Sequence, residues 1–91
     1  MQGEEAKLQA KILVWLKANG FWVFKTIVCN RNGIMDIICC SPEGTFIGIE
    51  VKSKNGVLSR LQDWNINEVL SRGGIAFEAR SLQTVINVLG K

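Results

Sequence analysis

The stretch Gly33-Ile34-Met35-Asp36-Ile37-Ile38-Cys39-Cys40-Ser41-Pro42-Glu43-Gly44-Thr45-Phe46-Ile47-Gly48-Ile49-Glu50-Val51-Lys52 decides how this chain is read. Two short β-branched runs flank a Ser-Pro-Glu-Gly turn, which is the pattern of a β-hairpin. Each run carries an acid where a strand would favour an apolar residue: Asp36 in the first, Glu50 in the second. Side chains alternate across a strand, so Glu50 and Lys52 share one face while Val51 points into the other layer. A hairpin lays its strands side by side, and one register open to this one sets Asp36 next to Glu50. Two carboxylates and a lysine converging on an apolar sheet are expected to form a metal site with an amine beside it.

Working outward, 91 residues make a single domain, 1–91. Hydrophobic residues are 47% of the chain, enough for a core. Three Trp and four Phe are a large aromatic load for that core, so part of it is expected at a subunit interface. The net charge of +3 only hints at a polyanionic partner. Its placement says more: Lys25 and Arg31 precede the Asp36 run, and Lys52, Lys54 and Arg60 follow Glu50. The chain has no histidine, which excludes Ser-His-Asp and Cys-His catalysis and any His-containing zinc site. Acid–base and metal chemistry therefore falls to carboxylates, lysines and water.

The three cysteines, Cys29, Cys39 and Cys40, are odd in number and form no Cys-x-x-Cys. That argues for core thiols in a reducing intracellular (cytoplasmic) compartment and against a disulfide framework. The longest apolar run, Ile12-Leu13-Val14-Trp15-Leu16, is far too short to span a membrane. Glu4 and Glu5 ahead of it argue against a signal peptide.

The element order follows from periodicity and punctuation. Leu8, Ile12, Trp15 and Leu16 recur at helical spacing from about Glu4 to Asn19, and Asn19-Gly20 is a stop signal. Glu5 lies on the same stripe as Leu8, Gln9 and Ile12. Phe21 to Val28 reads as a strand, Asn30-Arg31-Asn32-Gly33 as a loop, and the hairpin strands follow. After Asn55-Gly56, Ser59 caps a second helix to about Ser71, with Leu61, Trp64, Ile66, Val69 and Leu70 as its apolar positions. Ile75–Ala79 is a fourth strand, and Ser81 caps a last helix with Leu82, Val85, Ile86 and Leu89 on one face. The order αβββαβα predicts an α/β (α+β) domain: a four-stranded mixed sheet flanked by helices.

Asp36, Glu50, the Val51 carbonyl and Lys52 suit one chemistry. Magnesium takes about six oxygen ligands, few of them from protein. The two acids and the Val51 carbonyl can supply three, leaving room for water and a phosphodiester oxygen. Lys52, on the same face as Glu50, can position a water or stabilise developing negative charge. The competing reading is an ordinary solvated strand face with a weak Glu50–Lys52 ion pair.

With those residues in view, the chain resembles the PD-(D/E)xK nuclease superfamily and, within it, the VRR-NUC (virus-type replication-repair nuclease) domains. The resemblance rests on Glu5-x-x-Leu8-Gln9-x-x-Ile12, Gly33-Ile34-Met35-Asp36, Ile49-Glu50-Val51-Lys52 and Asn55-Gly56-Val57-Leu58-Ser59-Arg60-Leu61-Gln62. It covers nearly the whole chain. It implies a restriction-endonuclease-like core, with Asp36 and Glu50 as metal-binding acids, Val51 lending its carbonyl and Lys52 as the catalytic lysine. It further implies that Glu5 serves the metal through water or a second ion, with Glu4 as the rival for that role. Gln62 would contact the lysine, a metal-bound water or the substrate. The superfamily pattern has Pro before the first acid and this chain has Met35, a position that mainly shapes the turn and strand entry.

No segment resembles a separate DNA-reading module. Lys25, Arg31, Lys54, Ser59 and Arg60 are the candidate DNA contacts, and phosphate contacts of that kind give salt-sensitive, sequence-independent binding. Stand-alone VRR-NUC domains resemble Holliday-junction resolvases, which work as two-fold dimers; the resemblance thus implies a Mg²⁺- or Mn²⁺-dependent endonuclease acting on branched DNA as a homodimer, in a phage or its bacterial host. Trp15, Phe21, Trp22 and Phe24 are the candidate interface residues, with core packing as the alternative for each. A less selective flap or duplex nuclease of the same fold, a catalytically silent nucleic-acid-binding module and a plain assembly subunit are the other readings.

Overall fold

The structure, a computed structural model, describes residues 3–90. Helix α1 (Glu4–Ala18) opens the chain and is followed by strands β1 (Trp22–Lys25), β2 (Ile37–Cys40) and β3 (Phe46–Val51). Helix α2 (Arg60–Ser71), strand β4 (Ile75–Ala79) and helix α3 (Leu82–Leu89) complete it. The strands lie side by side in the order β1-β2-β3-β4. β1 pairs antiparallel with β2 and β2 antiparallel with β3, while β4 returns parallel to β3 after the α2 crossover. This is the mixed four-stranded sheet in αβββαβα order that the sequence predicts.

Alternation along the strands builds two cores. Ile37, Cys39, Ile47, Ile49 and Val51 face one side of the sheet and bury themselves with Ile12 and Leu16 of α1 and Val85 of α3. The opposite face is covered by α2: Ile38 and Ala76 pack there with Met35 and Ile66, and Ile34 and Leu58 close in from the flanking loops. Gly48 is the floor of this second core, because a Cβ there would lie 2.4 Å from Met35 Cε. Met35 is fully buried. So this position does more than shape the strand entry; its side chain fills the space above Gly48.

Two sequence expectations need correction. The first strand ends at Lys25, not Val28. β2 begins only at Ile37, opposite Lys25, so nothing remains for residues past Thr26 to pair with. Thr26 closes the ladder, its N–H donating to the Asp36 carbonyl at 2.8 Å, and Ile27 and Val28 run on exposed. On α2, the expected apolar positions Leu61, Trp64 and Leu70 are largely exposed, whereas Asn65 is buried.

The inward Asn65 ties α2 to the entry of β2. Its side-chain amide donates to the carbonyls of Asn32 and Gly33 at 3.1 Å each, and of Leu61 at 3.0 Å. Gly33 has φ +74°, and a Cβ there would sit 2.6 Å from Leu61 Cγ, so only glycine lets the chain pass under the helix. Replacing Asn65 with Ala removes the side-chain donor to the part-buried Asn32 and Gly33 carbonyls and is expected to lower stability by about 1–3 kcal/mol. A urea titration should show this as a lower midpoint at an unchanged m-value.

Candidate metal and nucleic-acid site

The hairpin register answers the question the sequence left open. Ile37 stands opposite Ile49, which carries Asp36, one residue before β2, across from Glu50. Asp36 Oδ2 accepts the Val51 N–H at 2.9 Å, anchoring the first acid to the backbone of the strand that bears the second. Glu50 lies on the α2 face and is only 2% exposed. Lys52 Nζ is 3.6 Å from Glu50 Oε2.

Gln62, in the first turn of α2, closes the site from above. Its Nε2 donates to Glu50 Oε2 at 3.2 Å. The amide is oriented from behind, because its Oε1 accepts the Ser59 N–H at 2.9 Å while Ser59 Oγ accepts the Gln62 N–H at 3.1 Å. This reciprocal capping box satisfies two free donors at the helix start. It also occupies Ser59, so the candidate DNA contact serves as the helix cap.

Glu50 is an acid under pressure. Burial, followed by the neighbouring Asp36 carboxylate, pushes its pKa up to about 8 against the opposing pull of Lys52. Glu50 Oε1 is buried with no donor facing it, and only the protonated acid can share a hydrogen bond with Asp36. A buried carboxylate oxygen without a donor, beside a second acid, is a place that a cation would satisfy. The donor set of hard oxygens suits Mg²⁺ or Mn²⁺ rather than a thiol- or imidazole-seeking metal. Asp36, Glu50 and the Val51 carbonyl would hold such an ion, and the residues present fit it.

The other candidates are distributed around this pair. Glu5 is turned inward and Glu4 is exposed. Glu5 Oε2 accepts the Ser53 N–H at a long 3.4 Å, so it reaches the turn just after Lys52. Among the described residues no three acids, cysteines or histidines gather closely enough to hold one ion, which leaves Glu5 apart from the Asp36–Glu50 pair. Lys25, Arg31, Lys54 and Arg60 are all exposed. Arg31 borders a groove shared with Trp64 and Arg72, residues of α2 and its C-cap that no motif in the sequence links to it.

The aromatic candidates divide. Trp15 and Phe21 pack on the α1–α3 core, their rings 6.1 Å apart. Trp22 and Phe24 form an edge-to-face pair at 5.4 Å and remain 67% and 43% exposed. The cysteines are all free thiols, but only Cys39 is the expected core thiol, its pKa pushed up to about 11, first by burial; Cys40 is half-buried and Cys29 is exposed on the loop after β1. Among the described residues no helix is long and apolar enough to cross a membrane.

Sequence reasoning missed Glu78 and Arg80. Glu78 is the parallel-register partner of Glu50 on β4, and Arg80 caps it. A lone acid in a short strand and an arginine after it carry no motif; only the β3–β4 register brings them to the site.

The architecture is therefore a mixed α/β sheet with its acid pair where β2 and β3 diverge. Its particular form is similar to that of two solved VRR-NUC domains. One solved structure described as a VRR_NUC domain superposes with a TM-score of 0.84 at 24% identity, covering 97% of this chain and 96% of the other. A second, a VRR_NUC domain protein, gives 0.77 at 19% identity, covering 98% and 88%. No family model and no curated protein matches the sequence.

The raised pKa has a measurable consequence in metal-free protein. Folded Glu50 holds its proton to about pH 8, whereas in the unfolded chain it ionises near 4.5. The folded state binds the extra proton between those values, so this group's contribution to stability is complete below about 4.5 and is lost as pH rises through 8. In EDTA, Tm should fall between pH 5 and 9, and Glu50→Gln should flatten that slope and exceed the wild type at pH 9. Mg²⁺ or Mn²⁺ should raise the wild-type Tm more at pH 8 than at pH 6, because binding displaces the proton.

Proposed function

We propose that the protein is a Mg²⁺- or Mn²⁺-dependent, structure-selective DNA endonuclease that hydrolyses phosphodiester bonds in branched DNA, foremost four-way junctions, as a homodimer. The observation that carries the reading is Glu50: buried, beside Asp36, with one oxygen lacking any donor and Lys52 Nζ 3.6 Å from the other. A solvated strand face with a weak ion pair would have neither the burial nor the orphaned oxygen. The likeness in fold to two VRR_NUC domains adds support for a nuclease.

The divalent ion, when bound, would neutralise charge on the scissile phosphate and lower the pKa of a bound water. The chain's own groups do the rest. Asp36 and Glu50 supply negative charge held rigidly, one by the Val51 N–H and the other by Gln62. Lys52, 13% exposed, offers ammonium N–H groups to the attacking water or to the phosphate oxygen on which charge develops. Gln62 keeps the Glu50 carboxyl aimed, with its own orientation fixed by the helix cap. Glu5, bonded to the Ser53 N–H, supports the segment that carries Lys52.

Exposed Lys25, Arg31, Lys54 and Arg60 would meet phosphates, which gives affinity that falls with salt and reads shape rather than sequence. A four-way junction needs two symmetric cuts, and a two-fold dimer supplies two sites. The exposed face of β1, with Trp22 and Phe24, offers the interface, and Trp15 and Phe21 are withdrawn from that role by their place in the core. The free thiols suit a reducing intracellular setting.

The test is cleavage of a labelled four-way junction beside a matched linear duplex, with and without Mg²⁺ or Mn²⁺. Symmetric, metal-dependent nicking of the junction is expected, reduced on the order of 100-fold or more by Lys52→Ala and by Asp36→Asn. Equal cutting of the duplex would replace junction selectivity with a flap or duplex nuclease. Binding without cleavage, indifferent to metal and to Lys52, would replace the enzyme with a binding module.

A further inference from the structure

Arg80 follows β4 and takes no part in the acid pair, yet its guanidinium makes four contacts, all directed at the neighbourhood of the site. Nε donates to Glu78 Oε1 and Nη2 to Glu78 Oε2, each at 3.2 Å, a two-pronged grip on one carboxylate. Nη1 donates to the Ser53 carbonyl at 2.7 Å and reaches the Lys54 carbonyl at 3.3 Å. Glu78 stands in register beside Glu50, so Arg80 bridges the strand next to the acid pair and the turn that leaves Lys52.

The same turn is held from the opposite side. Glu5 Oε2 accepts the Ser53 N–H, and Gly56 N–H closes the turn on the Ser53 carbonyl at 3.1 Å. A Cβ on Gly56 would lie 3.3 Å from both Glu5 Oε2 and Lys52 Cδ, so the carboxylate, the lysine stem and the turn are in mutual reach. Ser53 is thus gripped at its N–H by a residue of the first helix and at its carbonyl by a residue just after the last strand. Both backbone groups of Ser53, the residue that follows Lys52, meet charged side chains, the Arg80 contact at 2.7 Å being the short one of charge-assisted type.

We propose that Arg80 is a positioning residue of the site: with Glu78 as its anchor and Glu5 opposing it, it clamps the Ser53–Gly56 turn and thereby sets the Lys52 ammonium beside Glu50. The planar fork matters, because one guanidinium must hold a carboxylate with two N–H groups while a third meets a backbone carbonyl. Lysine keeps the charge without that geometry. The clamp also occupies Glu78, which keeps a third carboxylate turned away from the Asp36–Glu50 pair. The catalytic part of this inference rests on the nuclease reading above; the clamp does not.

The experiment combines amide hydrogen exchange with steady-state cleavage on the full chain, using Arg80→Ala, Arg80→Lys and Glu78→Gln. In Arg80→Ala, exchange of the Ser53 and Gly56 amides is expected to accelerate at least tenfold while amides within α1 and β3 stay protected. In cleavage, kcat should fall at least tenfold with KM changing less than twofold. Millimolar guanidinium chloride should restore part of both for Arg80→Ala, and Arg80→Lys should restore little of either. Glu78→Gln, which loosens the anchor but leaves the guanidinium, should move both readouts in the same direction by less, and it carries the test if Arg80→Ala does not fold. Unchanged exchange at Ser53 and Gly56, or a uniform loss of protection across the chain, would overturn the clamp and leave Arg80 a surface staple. If the wild type cleaves no nucleic acid, the nuclease reading falls and the exchange data alone decide the clamp.

Discussion

A carboxyl group buried next to another carboxylate is the constraint to which the rest of this structure answers. Glu50 has almost no access to water, and its neighbour Asp36 repels its charged form. Such a group is tolerated only if the surroundings compensate. Here they do so in part: Lys52 draws it toward the anion, Gln62 donates to one oxygen, and the other oxygen is left without a donor. Among the described residues one other buried side-chain oxygen, Gln9 Oε1 on α1, likewise has no hydrogen-bond partner. Asp36, Ser59 and Asn65 all have backbone partners at ordinary hydrogen-bond distances. Around the acid pair, then, the deficit falls on the Glu50 carboxyl while its neighbours are satisfied.

The scaffold explains why the pair is stable enough to persist. The larger core, on the α1–α3 side, takes the alternate residues of the same two strands that carry the acids, so Ile37, Ile49 and Val51 pin the backbone from the opposite face. Slipping the register by one residue would bury the acids among those apolar side chains and expose the core set, which fixes the hairpin strongly. The smaller core under α2 then places Gln62 over Glu50, through Ile66 packing on Ile38 and Met35 and through the grip of Asn65 on the Asn32–Gly33 loop. The geometry of the acid pair in this domain is a by-product of how tightly its two faces are specified.

The polar face of the site is built from parts that are distant in sequence. Glu5, Lys52, Ser53, Glu78 and Arg80 come from a first helix, the end of the third strand and the fourth strand with its trailing residue, and they meet through single hydrogen bonds and ion pairs. Long-range polar contacts of this kind carry little stability on a surface. Their value is positional: they hold the segment after Lys52 without adding apolar bulk beside the acid pair.

Much of this was legible in the chain itself. Alternation around Asp36 and Glu50, the Pro/Gly turn and three helical stripes define αβββαβα without ambiguity, because periodicity is a local property that short windows record. The chemical character of Asp36, Glu50 and Lys52 was legible for the same reason: an acid in an otherwise apolar strand is visible at once. What the sequence left open was decided by packing. Strand one ends at Lys25 because β2 has no residue left to pair beyond it, and Leu61 and Trp64 stay partly exposed at the edge of the Asn32–Gly33 loop because Asn65 takes the inward position beneath the helix. Trp15 and Trp22, alike in sequence, part ways into core and surface. The partnership of Arg80 with Glu78 and Ser53 exists only once β4 lies parallel to β3, since hydrogen bonds across 27 residues are set by register and not by any local pattern.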